Sequence, residues 1–364
     1  MSSSPLPTDV PAPHLRMPLD SQRGAGGEMS MMFFVQPDCP VNFAYQDEHR
    51  VKGLNAEAMA RVLLPPPAWL LATEYAPLRS DPGHPMSAVD CIRKLRTKVW
   101  PLPKSFDGST SLFLRVQRGV LLKYPRQIRR ESSSYKLLTD KIANNFLVER
   151  HILDLLGRHP RIVPYLGWHR ASEGQQGVLL MEASHGNLQR YLDDHYDATS
   201  SLLRMKWCLQ AVESIVYIHR RGIIHSDIRP DNFLVHATTP TSLDLWLCDF
   251  GGSTCENFGL DGGHLPDSGF YDPRSEPVST AQTDIFSVAS VLYTILTGHW
   301  PYRGPGSFKT GAEMEEYRQK VDDLFARRLF PDIDGLFAGK VIKKCWRNEY
   351  ANAEEVLQEL RTYS

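Results

Sequence analysis

The sequence predicts an α+β, bilobal fold: a small β-rich lobe, a larger helical lobe, and an irregular extension ahead of both. Three observations predict it. Fifteen of the 26 prolines precede Lys104. Apolar runs of strand length recur between Leu112 and Met181, with one helical stretch among them. After that the apolar spacing is helical, and Asp284 to Leu296 leaves almost no polar face. The boundaries are therefore drawn as an extension over 1–103 and a folded domain over 104–364, with its small lobe at 104–182 and its large lobe at 183–364.

Taken in order, the extension (Pro5 to Pro18, Pro65-Pro66-Pro67) shows no sustained period and reads as flexible. Pro37 to Pro40 and Pro82 to Pro85 fit a minimal Pro-x-x-Pro spacing for groove binding, although a plain tail is the better reading. Met31 to Val35 and Trp69 to Leu71 are short apolar pieces able to dock on the body. Leu112 to Val116 and Val120 to Tyr124 read as strands joined by a turn at Arg118-Gly119. Asn144 to Leu156 has helical spacing through Phe146, Val148 or Glu149, Ile152, Leu153 and Leu156. Ile162 to Trp168 and Val178 to Met181 read as further strands.

In the large lobe Met205, Leu209, Val212 and Val216 form an apolar helical stripe, widened by Cys208 and Ile215. Leu243 to Leu247 is an apolar strand. The stretch from Asp284 to Leu296 is too short to span a bilayer, so it is expected as a buried central helix. Gly298 ends it and Pro301 blocks continuation.

The bulk numbers exclude several classes. With 364 residues, 42% hydrophobic and 23% charged, the chain has the composition of a soluble globular protein. A net charge of −1 supplies no electrostatic pull toward nucleic acid or an anionic membrane. No apolar run reaches membrane-span length and no secretory pattern opens the chain, so a cytoplasmic or nuclear location is expected. The six cysteines are scattered without a Cys-x-x-Cys pair, which favours reduced thiols. Cys208 and Cys345 read as core residues. Cys248, beside Asp249, reads as a buried structural thiol rather than an oxidation-sensitive one.

Chemistry concentrates in Ile224 to Leu234, which reads Ile-His-Ser-Asp-Ile-Arg-Pro-Asp-Asn-Phe-Leu, and in Asp249-Phe250-Gly251. Asp227 followed five residues later by Asn232, then this Asp-Phe-Gly, is the pattern of phosphoryl transfer. Asp227 is placed to orient and deprotonate a hydroxyl, and Asn232 and Asp249 to hold metal ions that neutralise ATP phosphates. Upstream, Lys123 closes an apolar strand, from which a lysine reaches phosphates, and Glu149 on the following helix is placed to hold it. Each piece has a bland alternative. Most Lys–Glu pairs are solvated, an Asp-Phe-Gly often marks a turn, and a lone histidine is usually packed. Their order along the chain decides for function.

From roughly Ser105 to Leu360 the chain resembles the eukaryotic protein-kinase family, and looks closest to divergent, fungal orphan-type members. The resemblance implies a five-stranded small lobe, a hinge near Met181 to Gly186, a helical large lobe, and ATP with Mg²⁺ or Mn²⁺ between the lobes. It makes Lys123 the contact to the α- and β-phosphates and Glu149 its partner. Asp227 becomes the catalytic base, Arg229 the neutraliser of the γ-phosphate, and Asn232 and Asp249 the metal ligands. Gly108, Leu121, Met181, Glu182, Ala183 and Leu234 would surround the nucleotide, and Asp284 would anchor the catalytic loop.

Four departures from the family pattern stand out. Gly108-Ser109-Thr110-Ser111-Leu112 supplies one glycine where the family has three, which brings fewer backbone amides close to the phosphates. Leu121 replaces the usual alanine above adenine. Asp272-Pro273-Arg274 replaces Ala-Pro-Glu, and a reversed pair between Arg274 and Glu349 is one expectation from that exchange. Ser226 replaces the arginine of His-Arg-Asp, which in many kinases receives a phosphorylated loop residue. Phosphorylation at Ser253, Thr254 or Ser268 is therefore expected to be unnecessary for activity.

The leading function is an ATP-dependent kinase acting on Ser/Thr hydroxyls of protein substrates, an assignment that Pro230 after Arg229 favours. A pseudokinase, binding ATP or acting as a scaffold, is the alternative, favoured by the glycine-poor loop and Leu121. Tyrosine or small-molecule kinase activity ranks below both.

Overall fold

The computed structural model of the protein describes residues 100–102, 108–171 and 174–363. The expectations placed on residues 1–99, both Pro-x-x-Pro spacings included, lie outside the described residues. Short apolar runs build the small lobe. Strands β1 (Trp100–Pro101), β2 (Ser111–Gln117), β3 (Val120–Pro125), β4 (Tyr165–Arg170) and β5 (Gln176–Met181) form one antiparallel sheet in the order β1-β2-β3-β5-β4. The sheet thus takes in Trp100 and Pro101, ahead of the Lys104 boundary. Five strands are what the resemblance implied.

The β2–β3 turn falls at Arg118-Gly119, where Gly119 adopts φ 78°, a region open to a residue without Cβ. Side chains alternate across the sheet. Leu114, Val116, Val120, Leu122 and Leu179 pack on one face. The directly paired Phe113–Lys123 and Arg115–Leu121 share the other. Gly177 of β5 lies so close to β3 that a Cβ there would come within 1.9 Å of the Lys123 carbonyl oxygen. Glycine at that position lets the strand carrying Lys123 sit flush with its neighbour.

Helix α1 (Tyr135–Leu156) buries Ile142, Phe146, Val148, Glu149, Ile152, Leu153 and Leu156 against the sheet and the large lobe. It starts well before Asn144. Its first turns bury only Ile142 and leave Leu137 at 71% exposure, so no apolar period marks them. The strand expected at Ile162 begins instead at Tyr165. Pro164 has no N–H for a ladder, and the residues before it are taken elsewhere: Val163 donates to Leu247 O at 2.9 Å and Ile162 bridges to Leu247.

The large lobe contains α2 (Leu188–His195), α3 (Ser201–His219), α4 (Ala281–Thr297), α5 (Gly311–Ala326), α6 (Gly339–Trp346) and α7 (Ala353–Leu360). Two hairpins accompany them, β6 (Phe233–Thr239) with β7 (Ser242–Leu247), and β8 (Thr254–Cys255) with β9 (Leu260–Asp261). Helix α4 is the expected buried core, with every residue from Thr283 to Leu296 out of solvent. Thr280 and Thr283 form a capping box at its start, and Gly298 closes it in the left-handed conformation.

In α3 the buried arc is wider than the expected stripe and turned away from it. Trp207, Cys208, Ala211, Val212, Ile215 and Ile218 are fully buried, whereas Met205 and Leu209 are only partly so. The helix packs against α4, α7 and β7 at once, so no single stripe describes it. Cys345 is likewise buried in the core. Among the described residues no helix is long and apolar enough to cross a membrane.

The expected Arg274–Glu349 pair does not form. Arg274 reaches Asp272 through Nε at 2.7 Å and Nη2 at 2.8 Å, and donates to Trp346 O at 3.0 Å. Asp272 is two residues away and already buried, so it captures the guanidinium first. Glu349 pairs with Arg347 at 3.7 Å.

His159, after α1, stacks on Tyr217 with ring centroids 3.6 Å apart, and its Nδ1 accepts from Arg161 N at 3.2 Å. Burial, then the Arg161 and Arg221 guanidinium groups, lower its pKa to about 3. The folded state thus keeps His159 neutral while the unfolded chain takes up a proton below about pH 6.5, so stability falls as pH drops through that value. His159→Gln is expected to flatten this loss by about 2 kcal/mol between pH 7 and pH 5, measured by urea unfolding across that range.

Candidate active site

The site is built outward from Asp284, a carboxylate on α4 with no solvent exposure. Its Oδ2 accepts from His225 N at 2.8 Å and its Oδ1 from Ser226 N at 3.0 Å, while His219 Nε2 lies 2.9 Å from Oδ2. These bonds hold the chain in a turn where Ser226 takes φ 68°, a left-handed conformation costing a serine about 1–2 kcal/mol. The expected anchoring role of Asp284 is visible in these contacts. The turn delivers Asp227 to the cleft. The 3₁₀ turn Pro230–Asn232 follows, and Asn232 Nδ2 donates to Asp227 O at 2.8 Å and Asp227 Oδ2 at 2.9 Å.

That leaves Asp227 Oδ1 buried without a hydrogen-bond partner, and His264 Nε2 is 3.6 Å from it. Burial raises the Asp227 pKa, but His264, Arg229 and His225 outweigh this and hold the carboxyl below its usual range. The group is therefore ionised at neutral pH. Strand β7 leads to Asp249, whose φ of 65° is one that aspartate tolerates better than most residues. Asp249 Oδ1 accepts from Lys123 Nζ at 2.8 Å, and Glu149 accepts from the same ammonium at 2.8 Å.

Lys123 thus joins β3, α1 and the segment after β7, with 5% of its surface exposed. Burial alone would discharge it, yet Asp249 and Glu149 together keep its pKa above the ordinary lysine value. For Asp249 burial again opposes ionisation and Lys123 overcomes it, leaving the carboxyl lower than usual. Cys248 next to it has a thiol pKa pushed up by burial and by Asp249, which suits an inert thiol.

Lys123, Lys141, Glu149, Asp227, Asp249 and His264 line one cavity. The remaining expected residues lie around it. Leu121 is buried on the cleft face of β3, beside Arg115. Met181 ends β5, and Glu182 and Ala183 follow it. Glu182 N donates to Gly119 O at 2.9 Å, and its carboxylate is gripped by the Arg115 guanidinium, with Nε at 2.9 Å. Leu234 on β6 bridges to Asn187. Gly108 turns inward: its N–H donates to Ser111 O at 3.0 Å and its carbonyl accepts from Arg126 Nη2 at 3.0 Å. Arg229 is held by Asp231, with Nε at 3.0 Å and Nη2 at 2.9 Å, and by Asp267 through Nη1, and it does not line the cavity.

Three residues here were missed by the sequence reading: Arg115, Lys141 and His264. Lys141, Asn145 and Glu149 are spaced by four residues and lie along one face of α1, a signal masked because the turns before Asn144 bury only Ile142 and carry no apolar period. Arg115 and His264 acquire their places only through pairing and loop folding, which nothing local announces.

The donors suit a hard divalent ion. Asn232 spends its amide nitrogen on Asp227 and leaves its Oδ1 to act as a ligand, and the Asp249 carboxylate, bonded to Lys123 and the Gly251 backbone, retains lone pairs. Among the described residues there is no cluster of three or more His, Cys, Asp or Glu able to cage a metal. Two protein oxygens are what Mg²⁺ asks for when phosphates and water complete its shell.

A family model described as Protein kinase domain matches residues 127–360, a stretch holding Glu149, Asp227, Asn232 and Asp249 and starting just after Lys123. The serine/threonine-protein kinase mos of Patiria pectinifera is 26% identical over 271 residues, 70% of this chain and 71% of its own length. The probable serine/threonine-protein kinase gdt2 of Dictyostelium discoideum is 25% identical over 256 residues, 65% of this chain but 14% of its own length. Receptor tyrosine-protein kinase erbB-4 of Homo sapiens is 28% identical over 191 residues, 52% of this chain and 14% of its own length. The chain therefore spans only a small part of two of these three relatives.

Removing the shared ammonium strands a buried carboxylate. Lys123→Met is expected to lower unfolding stability by about 3 kcal/mol, and the double variant Lys123→Met/Glu149→Leu to recover part of it, because an unpaired buried charge costs more than a missing pair. Urea denaturation of both variants beside wild type provides the comparison.

Proposed function

The chain belongs to the protein kinase family, and on that premise we propose that it transfers the γ-phosphate of ATP to Ser/Thr hydroxyls of protein substrates. The observation that carries this reading is the ionised, unpartnered Oδ1 of Asp227 in the same cavity as the Lys123–Asp249 pair. Asp227 Oδ1 accepts the proton of the substrate hydroxyl. The freed oxygen bonds to the γ-phosphorus as the bond to the β–γ bridging oxygen breaks, and ADP leaves. Lys123, kept charged and held by Glu149, orients the α- and β-phosphates. Arg229, which the resemblance makes the neutraliser of the γ-phosphate, is paired with Asp231 and Asp267 and would have to exchange one of them for the phosphate. A bound Mg²⁺ on Asn232 and Asp249 would neutralise charge on the phosphates.

Choice of hydroxyl is supported by Pro230 after Arg229 and by the serine/threonine relatives, against which stands the tyrosine-kinase relative. A pseudokinase remains the second reading, and specific observations favour it. The lone loop glycine bonds within its own loop, and Leu121 with the Arg115–Glu182 pair narrows the adenine side of the cleft.

Independence from loop phosphorylation is also part of the proposal. Ser226 brings no charge to receive a phosphate. Ser253 is fully buried, its hydroxyl donating to His225 O at 3.0 Å, and Thr254 pairs through its backbone with Ile224 in both directions. The Ser268 hydroxyl donates to Asp322 Oδ2 at 2.9 Å. The loop is thus already tied to the catalytic turn by unmodified residues.

The deciding assay is ³²P transfer from ATP with Mg²⁺ or Mn²⁺ to a generic protein substrate, followed by phosphoamino-acid mapping. Asp227→Asn is expected to lower the rate by about 10²–10⁴-fold. Equal inactivity of wild type and variant, with an ATP analogue still bound, would instead establish the pseudokinase. In the same assay, phosphatase pretreatment is expected to leave the rate unchanged. A loss of turnover that maps to dephosphorylation at Ser253, Thr254 or Ser268 would refute the proposed independence.

A further inference from the structure

Charge balance in the cavity points to a residue outside the usual set. Glu149, Asp227 and Asp249 already place three carboxylates around the space, and a triphosphate adds further negative charge. The groups expected to offset it are occupied. The Gly108 N–H is bonded to Ser111 O, Arg229 is held by Asp231 and Asp267 away from the cavity, and Lys123 is shared between Glu149 and Asp249.

Lys141 is different. It lines the cavity from α1, is exposed, and among the described residues no carboxylate pairs with its ammonium. It lies two helical turns before Glu149 on the same face, about 12 Å along the axis. It lines the same cavity as His264, whose Nε2 lies 3.6 Å from Asp227 Oδ1, on the side where transfer would occur.

We propose that Lys141 is a nucleotide-binding residue that contacts the terminal phosphate of ATP, adding a cation beside a loop that carries one glycine where the family pattern has three. The inference rests on the reading of this chain as an ATP-binding kinase. An ammonium–phosphate hydrogen bond is charge-assisted, and a flexible lysine stem lets it follow the phosphate as the cleft closes. A merely solvated surface lysine would carry no preference between a di- and a triphosphate. Contact with the third phosphate creates one.

The test is calorimetric titration of the full chain with Mg²⁺ and either ADP or the non-hydrolysable analogue AMP-PNP, for wild type, Lys141→Gln and Lys141→Arg. Lys141→Gln is expected to weaken AMP-PNP about tenfold while changing ADP by less than about twofold, and Lys141→Arg to retain most of the AMP-PNP affinity. Unchanged AMP-PNP binding by Lys141→Gln, or an equal loss for both nucleotides, overturns the assignment of Lys141 alone. Wild type that binds neither nucleotide overturns the ATP reading and this assignment together.

Discussion

A single buried carboxylate sets the geometry on which the site depends. Asp284 is surrounded by apolar side chains on α4 and sits where an unpartnered charge would cost several kcal/mol. It is satisfied by two consecutive backbone N–H groups and the His219 ring. Satisfying it forces the chain at 225–226 into a turn whose left-handed serine would otherwise be unfavourable. Asp227, the Asn232 bond and the His225 contact with Cys248 O all follow from that turn. Among the described residues, the buried helix α4 thus serves as the rigid support for the polar loop that carries Asp227.

A second constraint is electrostatic and crosses between elements distant in sequence. Lys123 stays charged inside the protein because Glu149 and Asp249 outweigh its burial, and its ammonium in turn opposes the burial cost of both carboxylates, which repel one another. Strand β3, helix α1 and the turn after β7 are held together by one side chain. The sheet accommodates it through the close approach of Gly177 to the Lys123 carbonyl. Backbone packing in the small lobe and charge pairing in the cleft are thereby one arrangement.

The departures from the family pattern acquire physical content in the fold. Ser226 removes a cation but leaves the N–H that Asp284 needs, so the loop keeps its shape. Ser253 fills its surroundings with a hydrogen-bonded hydroxyl. On the nucleotide side the changes push the other way. Arg115 and Leu121 share a face of the sheet and stand beside Glu182, while Gly108 is consumed by its own turn. The candidate site residues Lys123, Glu149, Asp227, Asn232 and Asp249 are thus brought together, while the strand face beside Arg115 and Leu121 departs from the family pattern.

Much was legible in the sequence. Apolar runs of strand length located β2, β3 and β5, an all-apolar period located α4, and the spacing of Asp227, Asn232 and Asp249 pointed to the family, because these signals are local and read directly from the chain. Helix α1 was only half legible, since its first turns bury almost nothing and apolar periodicity records burial. Strand β4 was displaced by Pro164, and the buried arc of α3 was set by three packing partners rather than one. Arg274 went to Asp272 instead of Glu349 because the nearer, buried carboxylate dominates. By itself the sequence determined the family, the two lobes and the spacing of the candidate site residues. Only the tertiary structure decided which charges are committed to partners, that Arg229 is engaged, Lys141 open and His264 set over Asp227. Coulomb energy depends on distance and burial, and neither exists until the chain has folded.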